Sequence, residues 1–310
     1  MTLFGPAAKD LSVVEAALQK EIEGDPPRVS GPMADLFQAG GKRIRPALVL
    51  LSAMCGRYNL DELMPAAMAV ELTHAATLVH DDVIDRSPTR RGRPTVSARL
   101  GDEPAIVIGD FYFAKSYELA ARTRVSEVVA ILARTVMAIC AGEVGQQAIR
   151  YRYNTGVDEY MSRIEAKTAM LVAACCEIGA LMGGLDLANR GALRLYGRSL
   201  GLAFQIADDV LDYVGSEGEV GKPIGHDIAE GFATLPLMLT SIHLDDGRKL
   251  DAHEARDVVT AVRNGDGPQL ALEQAREHAS AARNQLRSLP GTKATDALAA
   301  LTDYVVSRKL

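Results

Sequence analysis

The sequence predicts an all-α chain folded as one domain over residues 1–310, and three observations carry the prediction. Apolar residues recur at helical spacing along nearly its whole length. No run alternates convincingly with period two, no internal repeat is present, and no low-complexity linker divides the chain. At 48% hydrophobic and 5% aromatic residues with no Trp, it can bury a large aliphatic core, enough for roughly ten or more helices.

In order, Leu11, Val14, Leu18 and Ile22 mark one face of a first helix, which Gly24-Asp25-Pro26-Pro27 ends. A short helix from Met33 to Gln38 follows. The stretch GGKRIRPALVLLSAMC places Lys42, Arg43 and Arg45 at a helix start marked by Pro46. Backbone N–H groups and the helix dipole favour anions there. The P-loop pattern is absent, and on its own this cluster reads as a solvated basic turn. The next run, from Leu63, is apolar nearly all round, as in a buried helix, and Ser87-Pro88 ends it. Ile106 to Asp110 leads into FYFAKSYELAAR, and Val125 to Arg150 forms another long helix. Tyr160 to Met182 stays helical, with Glu165, Lys167 and Thr168 as polar interruptions. Arg190 to Val214 precedes the Gly-rich loop GSEGEVGKPIGHDIAEGF. From Ala233 onward, helical periods alternate with turns at Asp245-Asp246-Gly247, Asn264-Gly265-Asp266-Gly267 and Pro290-Gly291.

The net charge of -6 and pI near 5.6 argue against nucleic-acid binding, so any anion site must be a local basic cluster. Cys55, Cys140, Cys175 and Cys176 form no C-x-x-C pair and lie in apolar helical stretches, reading as buried thiols of a reducing compartment. No basic and then apolar leader opens the chain, and no uninterrupted apolar run approaches the ~18 residues of a spanning helix. A cytoplasmic protein is expected, with peripheral membrane contact left open.

The chemistry concentrates in two aspartate clusters. Asp81, Asp82 and Asp85 lie within one turn, and Asp85 shares a face with both others. Like charges at this spacing cost roughly 0.2–0.5 kcal/mol per pair, and carboxylates at a helix C-terminus oppose its dipole. A divalent cation relieves both terms, and Mg²⁺ takes one or two carboxylates, leaving its other positions to water and phosphate. One such cluster alone reads as a solvated helix end. Asp208, Asp209 and Asp212 repeat the spacing in an equally apolar context, so two clusters can face one another across a bundle and share metal ions. Arg86, Arg90, Arg91 and Arg93 follow the first cluster, and guanidinium forks beside metal carboxylates suit phosphate esters. Glu71 and His74 form E-x-x-H, but no other histidine has a Glu three residues before it, so a di-iron bundle site cannot be assembled. No G-x-S-x-G turn supports nucleophilic hydrolysis.

In order, GGKRIRP, ELTHAATLVHDDVIDRSPTRRGRPT, Gly109-Asp110, EAKTA, FQIADDVLDY, GKPIGHDIAEG and TLPLM resemble the trans-isoprenyl (polyprenyl) diphosphate synthases over nearly the whole chain. The resemblance implies an antiparallel helical bundle of isoprenoid synthase type around a deep central cavity, usually in a homodimer. It implies that Asp81 and Asp85 hold Mg²⁺ with the allylic diphosphate, backed by Asp82, and that Asp208, supported by Asp209 and Asp212, holds a third ion. Arg90 would contact the allylic diphosphate. Lys42, Arg45, His74 and Arg91 would bind isopentenyl diphosphate. Lys167 and Lys222 would neutralise the leaving diphosphate, and Thr168 and Gln205 would stabilise the cationic chain. One position departs from the pattern: Phe232 stands where many members carry a lysine.

In this family the residues five and four positions before the first aspartate line the product tunnel. Here they are Ala76 and Thr77, both small, which implies a long-chain product; Phe113 and Tyr117, one turn apart, could close the tunnel lower down or be ordinary core aromatics. A short-chain farnesyl or geranylgeranyl synthase is the alternative. A terpene cyclase needs no second diphosphate site, which the GGKRIRP cluster and Arg91 supply. A non-catalytic synthase subunit is disfavoured by the intact acidic and basic sets, although Phe232 keeps it open.

Overall fold

The computed structural model describes residues 3–215 and 224–307, and nearly all regular structure within them is helical. The chain divides into two compact units. One comprises Met1–Val136, Ala174–Arg194 and Ser288–Leu298; the other comprises Met137–Ala173, Leu195–Arg287 and Ala299–Leu310.

In the first unit, α1 (Ala8–Glu23) buries Leu11, Val14, Leu18 and Ile22, as their spacing predicts. The second helix, α2 (Pro27–Gln38), starts at Pro27 rather than at Met33. Proline in a first helical turn lacks only an N–H that would be unused there, so the Pro26-Pro27 pair ends one helix and starts the next. Next come α3 (Ile44–Ala53) and α4 (Leu60–Ile84), the latter capped by Asn59, whose Oδ1 accepts from the Asp61 N–H at 3.1 Å. Ala66, Ala67, Met68, Ala69 and Val70 are all buried, so every side of α4 is covered, as its composition predicts. Its main neighbour is α6 (Asp102–Arg122). The two approach closely at Gly109, where a Cβ would come within 2.2 Å of His80 Nε2.

The end of α4 differs from the proline stop the sequence suggests. Ser87 N–H donates to Asp82 O at 3.0 Å and Arg86 N–H to Val83 O at 3.2 Å, a Schellman closure with Arg86 at φ 49° in the place glycine usually takes. Thr89–Arg90 and Arg93–Pro94 then pair as antiparallel strands β1 and β2, where period-two reading found none. A two-residue ladder is too short to leave an alternation. Arg91 (φ 51°) and Gly92 (φ 74°) form its turn, the positive φ pair of a type I′ hairpin. Beyond the hairpin, Thr95 caps α5 (Val96–Leu100).

Both units draw on α7 (Ser126–Ala148). By length and composition alone this helix could cross a membrane, with mean hydropathy 1.8 over its most apolar stretch, of which 28% is buried. Arg134 and Glu143 interrupt the apolar run, which is why a search for uninterrupted residues passes over it. Cys140 on this helix is exposed, contrary to the sequence expectation, because this chain does not cover that face. Cys55, Cys175 and Cys176 are buried, and burial pushes the Cys55 thiol up to about 11 and that of Cys176 up to about 12.

The second unit contains α8 (Val157–Ile164), a π-helical turn (Glu165–Ala169) and the adjoining parts of α9 (Met170–Met182) and α10 (Leu187–Val214). Shorter helices His226–Ala229 and Leu235–Met238 precede Ala252–Arg263 and Gly267–Gln285. Tyr160, Leu202, Ile206, Leu235 and Leu272 form one part of its core, and Tyr213, Ile228, Leu237 and Val262 another. Gly201 lets α10 approach the π turn: a Cβ there would lie 2.6 Å from Ala169 Cα. The extra residue of a π turn shifts the helical register.

Candidate active site

The last turn of α4 carries the first acidic cluster. Asp82 is 2% exposed, and both its oxygens accept from Arg90: Nε at 2.9 and 3.1 Å, Nη2 at 2.8 Å. Asp81 and Asp85 are partly accessible. They offer hard oxygen donors one turn apart, which suits Mg²⁺, since that ion leaves the rest of its coordination to water and phosphate. Among the described residues no three His, Cys, Asp or Glu side chains meet as a ready-made metal cage.

Behind this turn the basic residues of the first unit gather around His74. Burial, followed by the charges of Arg45, Arg91, Arg90 and Arg43, pushes the imidazole well below its usual pKa, so His74 is neutral. Burial and then Arg90 and Arg43 also lower Arg91, against the pull of Glu71. Such crowding of like charges is relieved by an anion. Arg43 is committed to structure: Nε meets Glu15 at 2.8 Å, Nη1 meets Glu71 at 3.0 Å and Nη2 donates to Phe37 O at 3.0 Å. It leads into α3 at φ 51°. Glu71 therefore serves an arginine. Arg45 lies in the first turn of α3 and Lys42 is exposed just before it. Gly41 makes room here, since a Cβ would stand 2.8 Å from Arg43 Nη1 and 3.2 Å from Arg91 Nη1.

The hairpin separates two adjacent arginines. Arg90 lies in β1 and closes on Asp82, whereas Arg91 sits at the turn beside Gly41. Farther back on α4, Ala76 is fully buried, and Thr77 is half-buried with Oγ1 donating to His74 O at 2.7 Å. Phe113 packs on His80 with ring centroids 5.5 Å apart, and Tyr117 is half-buried one turn on.

In the second unit a hydrogen-bond relay holds the polar residues. Thr168 Oγ1 donates to Gln205 Oε1 at 2.7 Å, Gln205 Nε2 to Asp209 Oδ1 at 2.8 Å, and the Tyr160 hydroxyl to Asp209 Oδ2 at 2.8 Å. Asp209 is 3% exposed. Burial and then the Asp227 carboxylate push it up to about 8, opposed by its two donors and Arg163. Asp212 accepts from the His226 and Asp227 N–H groups at 3.2 and 3.1 Å and so anchors the helix His226–Ala229. Asp208 is half-buried. Lys167 lies in the π turn, Nζ 3.3 Å from Glu143 Oε2. Lys222 lies outside the described residues. Sequence reading missed Tyr160 and Asp227: one looks like any core aromatic, the other like any acid of a polar loop.

The fold is that of the isoprenoid synthases. A crystal structure of polyprenyl synthase from Caulobacter crescentus, complexed with calcium and isoprenyl diphosphate, matches with a TM-score of 0.91 at 34% identity over 98% of this chain and 96% of that one. The chain belongs to the polyprenyl synthetase family, whose model matches residues 26–260, and it is a prenyltransferase of the trans-prenyl diphosphate synthase type. Heptaprenyl diphosphate synthase component 2 of Bacillus subtilis is 35% identical over 307 residues, 97% of this chain and 88% of that protein. A short chain isoprenyl diphosphate synthase of Methanocaldococcus jannaschii is 37% identical over 243 residues, 77% of this chain and 74% of that protein.

Proposed function

We propose that the chain condenses an allylic prenyl diphosphate with isopentenyl diphosphate, with Mg²⁺, to give a long-chain trans-polyprenyl diphosphate. The convergence of Arg43, Arg45, Arg90 and Arg91 on a neutral His74, behind a helix end bearing Asp81 and Asp85, carries this reading. Asp81 and Asp85 would hold metal in the first unit and Asp208 would hold a further ion in the second; metal when bound stabilises negative charge on the departing diphosphate. Arg90 would meet the allylic diphosphate and Lys167 would neutralise the leaving diphosphate as the allylic C–O bond opens, each as preorganised positive charge that costs no reorganisation. Lys42, Arg45, His74 and Arg91 would hold the isopentenyl diphosphate so that its double bond attacks the allylic carbon. The new C–C bond forms, and the proton lost from the isopentenyl unit passes to the released diphosphate, because none of these side chains is an obvious base. Thr168 and Gln205 offer oxygen lone pairs to the cationic chain.

A long product rests on Ala76 and Thr77, small residues at the lining positions; a short-chain product is the second reading, favoured by Phe113 and Tyr117. Incubating the pure protein with Mg²⁺, farnesyl diphosphate and labelled isopentenyl diphosphate, then sizing the products, tests both. Products longer than geranylgeranyl support the first, and absence of any condensation overturns the proposal.

We further propose a cytoplasmic homodimer. Met137, Ala141, Val144 and Ala148 follow one another at 4-3-4 spacing along α7 and are exposed, Met137 by 71% and Val144 by 73%. Such a seam is apolar surface that pairing would cover. Sedimentation of the active protein tests the dimer, and activity of the chain alone separates it from a subunit that needs a second component.

A further inference from the structure

The side chain of Arg163 is a cation that the proposed chemistry has not used. It lies on α8, one turn after Tyr160, with its guanidinium carbon 5.4 Å from the Tyr160 ring centroid and 5.9 Å from that of Phe232. Phe232 is 8% exposed, and a second guanidinium, Arg150, lies 5.7 Å from its ring. Arg150 is bound to Glu230 through its side chain and through Nε to the Glu230 carbonyl at 2.8 Å. Arg163 has no such carboxylate among the described residues. Its hydrogen bond there is a single one, from Nη2 to Ala233 O at 2.7 Å.

One acid lies within reach of its charge. Arg163 is close enough to Asp209 for its charge to act on that carboxyl, yet both Asp209 oxygens accept from Tyr160 and Gln205. That carboxylate is thus held by other donors. Two aromatic faces hold the guanidinium by cation–π attraction, which fixes its plane without using its N–H groups. A half-buried guanidinium with donors to spare is matched by an anion that accepts from two of them at once.

We infer that Arg163, held between Phe232 and Tyr160, is a diphosphate-binding residue of this enzyme, contacting the diphosphate beside the second aspartate cluster. The inference rests on the proposed function for the identity of the substrate. Phe232 is then a positioning residue, acting through the guanidinium that it stacks.

The test uses the full chain and two readouts: calorimetric binding of inorganic diphosphate with Mg²⁺, and Michaelis constants for the allylic substrate. Arg163→Gln should weaken inorganic diphosphate and raise the allylic KM by about tenfold, the worth of one charge-assisted contact, with an unchanged melting temperature. Arg163→Lys should recover part of the loss, since charge remains and the fork is gone. Phe232→Leu should give a smaller loss of the same kind. Wild-type affinity in Arg163→Gln overturns the inference, as does equal loss in Arg163→Gln and Arg163→Lys accompanied by a lowered melting temperature. An inactive wild type would count against the proposed function, while diphosphate binding to the wild type and Arg163→Gln would still decide this one.

Discussion

Arg90 closes on Asp82 through two nitrogens, Nε reaching both carboxylate oxygens at 2.9 and 3.1 Å and Nη2 one of them at 2.8 Å. The middle carboxylate of the cluster therefore orients an arginine, whereas Asp81 and Asp85 on either side retain access to solvent. The three acids should fail differently. Asp82→Ala leaves Arg90 half-buried opposite nothing, which should cost about 3 kcal/mol of stability and raise the allylic KM. Asp81→Ala and Asp85→Ala should leave stability near normal and lower kcat by about a hundredfold or more, since charge stabilisation in the transition state is what they would support. Denaturant titration beside steady-state kinetics reads both; near-normal kcat in either flanking variant would remove that carboxylate from the metal assignment.

Arg91 stands at φ 51°, in a turn position that favours Asn, Asp or Gly. A left-handed backbone costs such a side chain about 1–2 kcal/mol. Arg91→Asn should therefore raise the melting temperature while weakening isopentenyl diphosphate about tenfold, the worth of a lost charge-assisted contact. Arg90→Ala should instead weaken chiefly the allylic substrate. Equal shifts of both Michaelis constants in both variants would show that the hairpin does not divide the two arginines between substrates.

His74 supplies a pH dependence of stability. Its folded pKa lies well below the unfolded value of about 6.5, so below that pH the unfolded chain binds the proton and the folded chain does not. The contribution is whole above about 6.5 and is lost as pH falls toward the folded value, at about 1.4 kcal/mol per pH unit. Unfolding free energies for His74→Gln measured from pH 7 to 5 should show a flatter slope than the wild type. Diphosphate, by answering the charges of Arg45 and Arg91, should flatten the wild-type slope as well.

Product length is tested at Ala76, which is fully buried in α4. In the cavity that the family resemblance implies, each added isoprene unit would gain burial at ~0.8 kcal/mol per carbon group until the cavity ends. Ala76→Tyr should shorten products to farnesyl or geranylgeranyl length while preserving the first condensation, at an overpacking cost of about 1–3 kcal/mol. An unchanged product distribution would show that Ala76 does not face the growing chain.

The sequence by itself determined the helical class, the buried character of α4, the α1 core face and the two aspartate clusters, because each is a periodicity or spacing within one segment. It also placed Lys42, Arg43 and Arg45 at a helix start, since proline and glycine mark such boundaries locally. Only the tertiary structure decided which residues meet across the chain. Nothing in the spacing says that Glu15 and Glu71 hold Arg43, that Tyr160 donates to Asp209, or that Asp212 anchors a helix beginning fourteen residues later. Backbone conformation was equally hidden. Arg86 and Arg91 occupy positions that glycine usually takes, so residue type pointed away from the Schellman end and the hairpin that the surrounding contacts impose. Cys140 makes the same point at the surface: α7 has the composition of a core helix, and whether its apolar face is covered depends on what packs against it.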